Sequence, residues 1–214
     1  MRKYQIGRRG RLTSGCGALA TTILCLTASS ALAGTKIDTS EMAWGDTSSC
    51  AAPTLVQPFL SAPDSNWYTL APGQSSDAFS GAGWTLSGGA SVMTETLGDG
   101  QTGPVLDLPS GSAAISPPMC VSSDYPTART EVRDVVGSEG VHAYVAYAGT
   151  KTATKAQDVG QIHGQQSGWT LSDSFNIHPG DLTGWQLVRF TFVPGGKSSN
   201  FQIYDFYVDP RMSR

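Results

Sequence analysis

Histidine, cysteine and charge are all scarce in this sequence. Its 214 residues hold three His and four Cys, and only 14% are charged, so there is little material for a metal centre or an ionic active site. The motifs such residues would build are missing as well: there is no G-x-S-x-G, no H-E-x-x-H and no C-x-x-C. His142, His163 and His178 fall on different predicted strands, which argues against a zinc site. No window carries convincing helical periodicity, and no apolar run after the N-terminal segment approaches the length that spans a membrane. These absences leave an all-β reading and no ready-made catalytic signature.

Basic residues are concentrated where the mature protein would lose them. Met1 to Ala33 has a basic start (Arg2, Lys3, Arg8, Arg9, Arg11), a modestly apolar stretch through Ala18 to Leu26, and Ala31-Leu32-Ala33 as a small-residue cleavage site. This three-part layout predicts a secretory signal peptide over residues 1–33, with Arg8-Arg9 leaving the twin-arginine route open beside the general one. Its removal leaves nine Lys and Arg against 17 Asp and Glu, a net charge of −8. An acidic balance of this size argues against a nucleic-acid partner. With no later membrane span, the mature chain is expected to be secreted and soluble.

Two cysteines then remain, Cys50 and Cys120. In an oxidising compartment they are predicted to form a disulfide, whose long loop would stabilise the fold by about 3 to 4 kcal/mol in the chain-entropy model. Residues 34–49 are small, polar and aperiodic, and read as a flexible lead. Residues 50–214 are enough for one domain with a sizeable core.

The domain reads as short strands punctuated by Gly and Pro. Thr127 to Val136 places Ala128, Thr130, Val132 and Val136 on one face and Arg129, Glu131 and Arg133 on the other. Val141 to Tyr147 likewise sets Val141, Ala143, Val145 and Tyr147 against His142 and Tyr144. Such strands suit one sheet with a core face and a solvent or ligand face. The pentapeptide GWTLS occurs at Gly83 to Ser87 and again at Gly168 to Ser172, which we read as reuse of one strand type. Trp185 to Val208 is the strongest local signal. Two alternating runs flank Pro194-Gly195-Gly196, predicting paired antiparallel strands with Val188, Phe190, Phe192, Tyr204, Phe206 and Val208 on the core side and Arg189 opposite Asp205. About ten short strands of this kind predict an antiparallel β-sandwich or jelly roll.

The layout GWTLSGGASV followed by strands and a terminal FQIYDFYVDP resembles jelly-roll carbohydrate-binding modules of the galactose-binding-like type. More closely it is similar to small secreted bacterial β-sandwich proteins of unknown function that end in a YVDP stretch. Such modules often hold a structural Ca²⁺ through an Asp-Asp pair in the final strand. Here the matching positions are Tyr204 and Asp205, so Asp205 is the one Ca²⁺ candidate and one expected oxygen is missing.

Two strings carry the chemistry of a different class. RTEVR (Arg129 to Arg133) and QIH (Gln161 to His163) resemble, in this order, motifs of jelly-roll alginate lyases. That resemblance implies Arg129 or Arg133 and Gln161 holding a uronate carboxylate, with His163 as the base of a β-elimination. The lyases also carry a catalytic Tyr in a C-terminal strand of the type YFKxGxYxQ, and nothing after His163 matches it.

A noncatalytic role asks less. Sugars are recognised by aromatic platforms together with charged and amide groups, and Arg129, Glu131, Arg133, His142, Tyr144, Gln161 and His163 supply polar and aromatic groups of those kinds. Trp169 and Trp185 are alternative platforms. The sequence thus favours a secreted module binding a cell-surface or environmental carbohydrate, without a cofactor. The lyase is the runner-up, and a structural or protein-interaction module the third reading.

Overall fold

The computed structural model describes residues 37–75, 78–166, 168–179 and 184–210, which leaves the signal-peptide expectation outside the described residues. Three short strands come first: β1 (Thr69–Leu70), β2 (Gln74–Ser75) and β3 (Ala78–Phe79). They are followed by β4 (Thr85–Ser87), β5 (Ser91–Thr96), β6 (Thr102–Pro109), β7 (Ala113–Ile115) and β8 (Met119–Val121). The second half contains β9 (Thr127–Val136), β10 (Val141–Tyr147), β11 (Gln157–Ile162), β12 (Thr170–Leu171), β13 (Phe175–Asn176), β14 (Gln186–Pro194) and β15 (Asn200–Asp209). One helical turn, α1 (Lys151–Thr154), interrupts them.

Thirteen of these strands form two antiparallel sheets, as expected for a β-sandwich, and β2 and β3 pair separately with each other. The seven-stranded sheet runs β12-β9-β15-β6-β5, with β13 also on β9 and β1 also on β15; the six-stranded sheet runs β11-β10-β14-β7-β4, with β8 also on β14. Between them lies one apolar core. Ala128, Val132, Phe201, Ile203, Phe206 and Val208 come from the first sheet, and Val141, Ala143, Val145, Val188, Phe190 and Phe192 from the second. The rings of Phe190 and Phe192 meet Phe206 edge-on at 4.8 and 5.1 Å, which is how the last two long strands join the sheets.

Those two strands do not pair with each other, which corrects the hairpin expected over Trp185 to Val208. β14 is hydrogen-bonded to β10, β7 and β8, and β15 to β9, β6 and β1. Residues 195–199 therefore arch across the sandwich. Sheets pack about 10 Å apart, which five residues can span. Alternation reports one buried face per strand and cannot distinguish a hairpin from an arch. The same correction applies to β9 and β10, which belong to different sheets. Their arch touches the other one, with the Gly195 amide donating to the Gly140 carbonyl at 2.8 Å. Gly140 has φ +76°, and a Cβ there would lie 2.8 Å from the carbonyl oxygen of Ile162. That position needs glycine.

Arg189 is accordingly far from pairing with Asp205. It points out of the six-stranded sheet, donates to the carbonyls of Ser116 and Ala43 at 2.6 and 2.5 Å, and lies under the Trp44 ring. Residues 37–49, read from sequence as a flexible lead, are laid against this face. Ile37 and Thr39 are buried, and the Thr39 amide and the Ala156 amide bond to the carbonyls of Ala153 and Ile37. The strap ends at the Cys50–Cys120 disulfide, which forms as predicted with the Cα atoms 5.7 Å apart. Asp205 sits at an irregularity in β15 with φ +52°. No group of three or more His, Cys, Asp or Glu that could hold a metal occurs among the described residues.

Candidate functional site

The two sheets turn the seven sequence-singled residues apart. Because Val141, Ala143 and Val145 fill the core, His142 and Tyr144 project from the outer face of the six-stranded sheet. Because Ala128 and Val132 also fill it, Arg129, Glu131 and Arg133 project from the outer face of the opposite sheet. Gln161 is the cross-strand partner of His142 and belongs with the first group. His163 follows the end of β11 and lies against Gly140 at the side of the sandwich. The arginines and Gln161 therefore do not converge.

On the six-stranded sheet the side chains make contact. Nε2 of Gln161 is 2.8 Å from Nε2 of His142, and Nδ1 of His142 is 3.2 Å from a carboxylate oxygen of Asp158. The imidazole satisfies both when Nδ1–H donates to Asp158 and Nε2 accepts from the Gln161 amide. Its ring lies nearly parallel to that of Tyr144, with centroids 6.1 Å apart at 26°. All four residues retain solvent exposure. Burial, then the Asp158 charge, raises the Tyr144 phenol above its ordinary range, so it remains a hydroxyl donor at neutral pH.

Asp158 is absent from the sequence-derived set for a local reason. Strict alternation along β11 would put Val159 beside Gln161. The pairing instead shifts between Ala143 and Tyr144, so that Tyr144 faces Asp158 while Ala143 faces Gly160. A bulge of this kind re-aims one side chain, and Val159 packs on the core. Gly160 within a strand pattern was the available signal.

On the opposite face the charged residues are occupied. Arg129 donates through Nε and a terminal nitrogen to the Ser172 carbonyl at 2.9 and 2.7 Å, and pairs with Asp64. Asp64 also accepts from the Tyr68 hydroxyl at 2.6 Å. Burial of Asp64 pushes its carboxyl up, but the bonds from Tyr68, the Asn66 amide and Arg129 outweigh it and hold the carboxyl below the usual range. Arg133 bonds to Gln202 and at 3.0 Å to Glu95, with its guanidinium 5.0 Å from the centroid of the Trp169 ring. Gln202, only 2% exposed, donates onward to Asp107 at 3.1 Å. Glu131 lies between these two clusters. Burial raises its carboxyl, partly offset by the Arg129 charge. Trp169, one of the two Trp platforms foreseen, donates to the Thr96 carbonyl at 2.7 Å and packs edge-on against Tyr204. Trp185, the other, is half-buried at one end of the sandwich, 6.0 Å from the ring of Tyr125.

No protein-family model matches this chain, and no curated protein matches it either. Similar solved structures include the CBM22-1 xylan-binding domain from Paenibacillus barcinonensis, at 12% identity over 62% of this chain and 88% of that one, with a TM-score of 0.40. A family 6 carbohydrate-binding module from Clostridium cellulolyticum, solved with xylose, is similar at 14% identity over 56% and 87%, TM-score 0.39. The family 11 module of a cellulosomal cellulase of Clostridium thermocellum is similar at 12% over 77% and 99%, TM-score 0.38.

Proposed function

We propose that this protein is a secreted, noncatalytic binding module for a cell-surface or environmental carbohydrate, and that Tyr144, His142, Gln161 and Asp158 form its contact surface. The observation that carries the reading is the exposed platform itself. Two nearly parallel rings offer apolar faces to a pyranose, while the Gln161 amide, the Asp158 carboxylate and the Tyr144 hydroxyl offer donors and acceptors to its hydroxyls. The platform is pre-ordered by its own hydrogen bonds, which lowers the entropic cost of binding. Secretion is supported by the layout of residues 1–33 and by the Cys50–Cys120 bond, a pairing that persists in oxidising compartments.

The lyase reading loses support from the placement of its residues. Arg129 and Arg133 lie on one outer face, bonded to protein partners, and Gln161 lies on the other. They cannot hold one carboxylate beside His163.

A glycan array and pull-downs with insoluble polysaccharides test the proposal. The wild-type protein is expected to bind and Tyr144→Ala or Gln161→Ala to weaken binding about tenfold, with the melting temperature nearly unchanged. Failure of the wild type to bind any glycan would sink it. Absorbance of an unsaturated product on incubation with alginate would revive the lyase.

A further inference from the structure

Strand β5 ends the path of the seven-stranded sheet, and among the described residues it is hydrogen-bonded to β6 alone. The other strands that end a sheet path are blunted: β12 has two residues, β4 has three, and β11 is bulged around Val159. β5 has six, Ser91 to Thr96, in unbroken register with β6 and without the Pro or Lys that commonly guard an edge. Val92 and Met93 are 37% and 38% exposed on its two faces. Its one charge, Glu95, is held by Arg133 at 3.0 Å. The Leu97 amide continues the ladder by bonding to the Gln101 carbonyl at 2.8 Å, so Ser91, Met93 and Glu95 bond to β6, and Val92, Thr94 and Thr96 turn their N–H and C=O away from it. Pro104, which has no N–H, accordingly stands opposite Thr94. Both ends of this edge are closed: the Ala90 amide bonds to the Ser87 carbonyl at 3.1 Å, and Nε1 of Trp169 donates to the Thr96 carbonyl at 2.7 Å. The open stretch is Val92 to Thr94, symmetric about Met93.

We propose that β5 pairs antiparallel with β5 of a second copy of this chain, about a two-fold axis through Met93, so that the two seven-stranded sheets become continuous. In that register Val92 of each copy exchanges two backbone hydrogen bonds with Thr94 of the other, and the two Met93 side chains meet in a close, non-hydrogen-bonded pair. Glu95 faces Ser91, so no like charges stand opposite each other, and Glu95 already carries its own cation. A register centred on Thr94 would instead set Val92 against Thr96, whose carbonyl is occupied by Trp169. The stretch thus supplies its own complement in charge and in apolar contact, which selects a second copy over an unrelated strand. The area covered lies at the low end for protein interfaces, so the dimer is weak and reversible.

Sedimentation of the purified protein from about 1 μM to about 1 mM, the span of weak interfaces, should show a reversible equilibrium between monomer and dimer. Thr94→Pro should lower the association constant at least about tenfold. Its melting temperature should stay close to that of the wild type, because the Thr94 amide does not serve the β6 ladder. Met93→Cys tests the register separately. Under mild air oxidation it should give a covalent dimer, since opposed residues of a non-hydrogen-bonded pair have Cα atoms about 4.5 Å apart, within disulfide reach. Ser91→Cys, also exposed but facing Glu95 in the pairing, should give far less. Should Thr94→Pro unfold the chain, the two cysteine variants decide alone. A monomer at every concentration overturns the proposal, including the case in which β5 serves an unrelated strand. A dimer that persists in folded Thr94→Pro, or equal cross-linking of the two cysteine variants, overturns it as well.

Discussion

The guanidinium of Arg189 lies 5.1 Å from the centroid of the Trp44 ring, so a residue of the central strand β14 is roofed by the N-terminal strap. Arg189 is 4% exposed and bonded to Ala43 and Ser116 carbonyls. Its removal strips both acceptors of a charged donor. We expect Arg189→Ala to cost about 2 to 4 kcal/mol, and Trp44→Ala about 1 kcal/mol, in denaturant melts. A loss below about 0.5 kcal/mol for Arg189→Ala would mean that the strap does not hold this position.

The hydrogen bond between Tyr68 and Asp64 shapes both ends of the pH-stability curve. Asp64 has a depressed carboxyl, so its contribution is present above the unfolded value and is lost as pH falls through the folded one. Burial, followed by the Asp64 bond, pushes the Tyr68 phenol up to about 12, so its contribution is present below the unfolded value of 10.0 and is lost as pH rises towards 12. Melting temperatures should show Asp64→Asn flattening the acid limb and Tyr68→Phe softening the alkaline one. Burial also raises Tyr147 and Tyr204, so Tyr68→Phe should leave part of the alkaline loss in place.

Glu131 has the opposite sign from Asp64. Its raised carboxyl means that folding favours the protonated form, and this contribution is lost as pH rises through the folded value. Glu131→Gln should therefore be neutral or stabilising at pH 7 and lose that advantage in acid. Chemical denaturation at the two pH values reads it directly, and a destabilised variant at pH 7 would contradict it.

Gly140→Ala places a Cβ against the Ile162 carbonyl at a φ of +76°. The expected loss is about 1 to 3 kcal/mol. The Cβ would also meet the His163 ring, yet His163→Ala should not rescue the variant, because the Ile162 contact is backbone. Full rescue by the double variant would show that the ring alone was the obstacle.

Much of the fold is legible in the strands, and most of what is not concerns their partners. The core face of β14 follows from alternation, and its Phe190 and Phe192 meet Phe206. In β15, however, the register shift around Asp205 puts Phe201 and Ile203 on the core side with Phe206 and Val208, and turns Tyr204, expected there, towards Glu131 and Trp169. The repeated GWTLS marks the start of an edge strand in each sheet, β4 and β12. Even so, Trp84 is buried against Phe79 and Phe192, while Trp169 lies against Tyr204 and Arg133. The same five residues meet different surroundings, and local sequence does not encode those. Asp158 escaped notice because a bulge changes the parity of β11 and period-two reasoning assumes none.

From the amino-acid sequence alone it follows that the chain is all-β, which face of β9, β10 and β14 is buried, and that Cys50 and Cys120 are available to pair. These properties follow from side-chain periodicity and composition, which act over a few residues. Tertiary structure decided which sheet each strand joins, and so sent Arg129 and Arg133 to one outer face and His142, Tyr144 and Gln161 to the other. A turn of five residues can close a hairpin or cross the sandwich. The choice between them is made by packing across the core, where Phe206 from one sheet is met by Phe190 and Phe192 from the other.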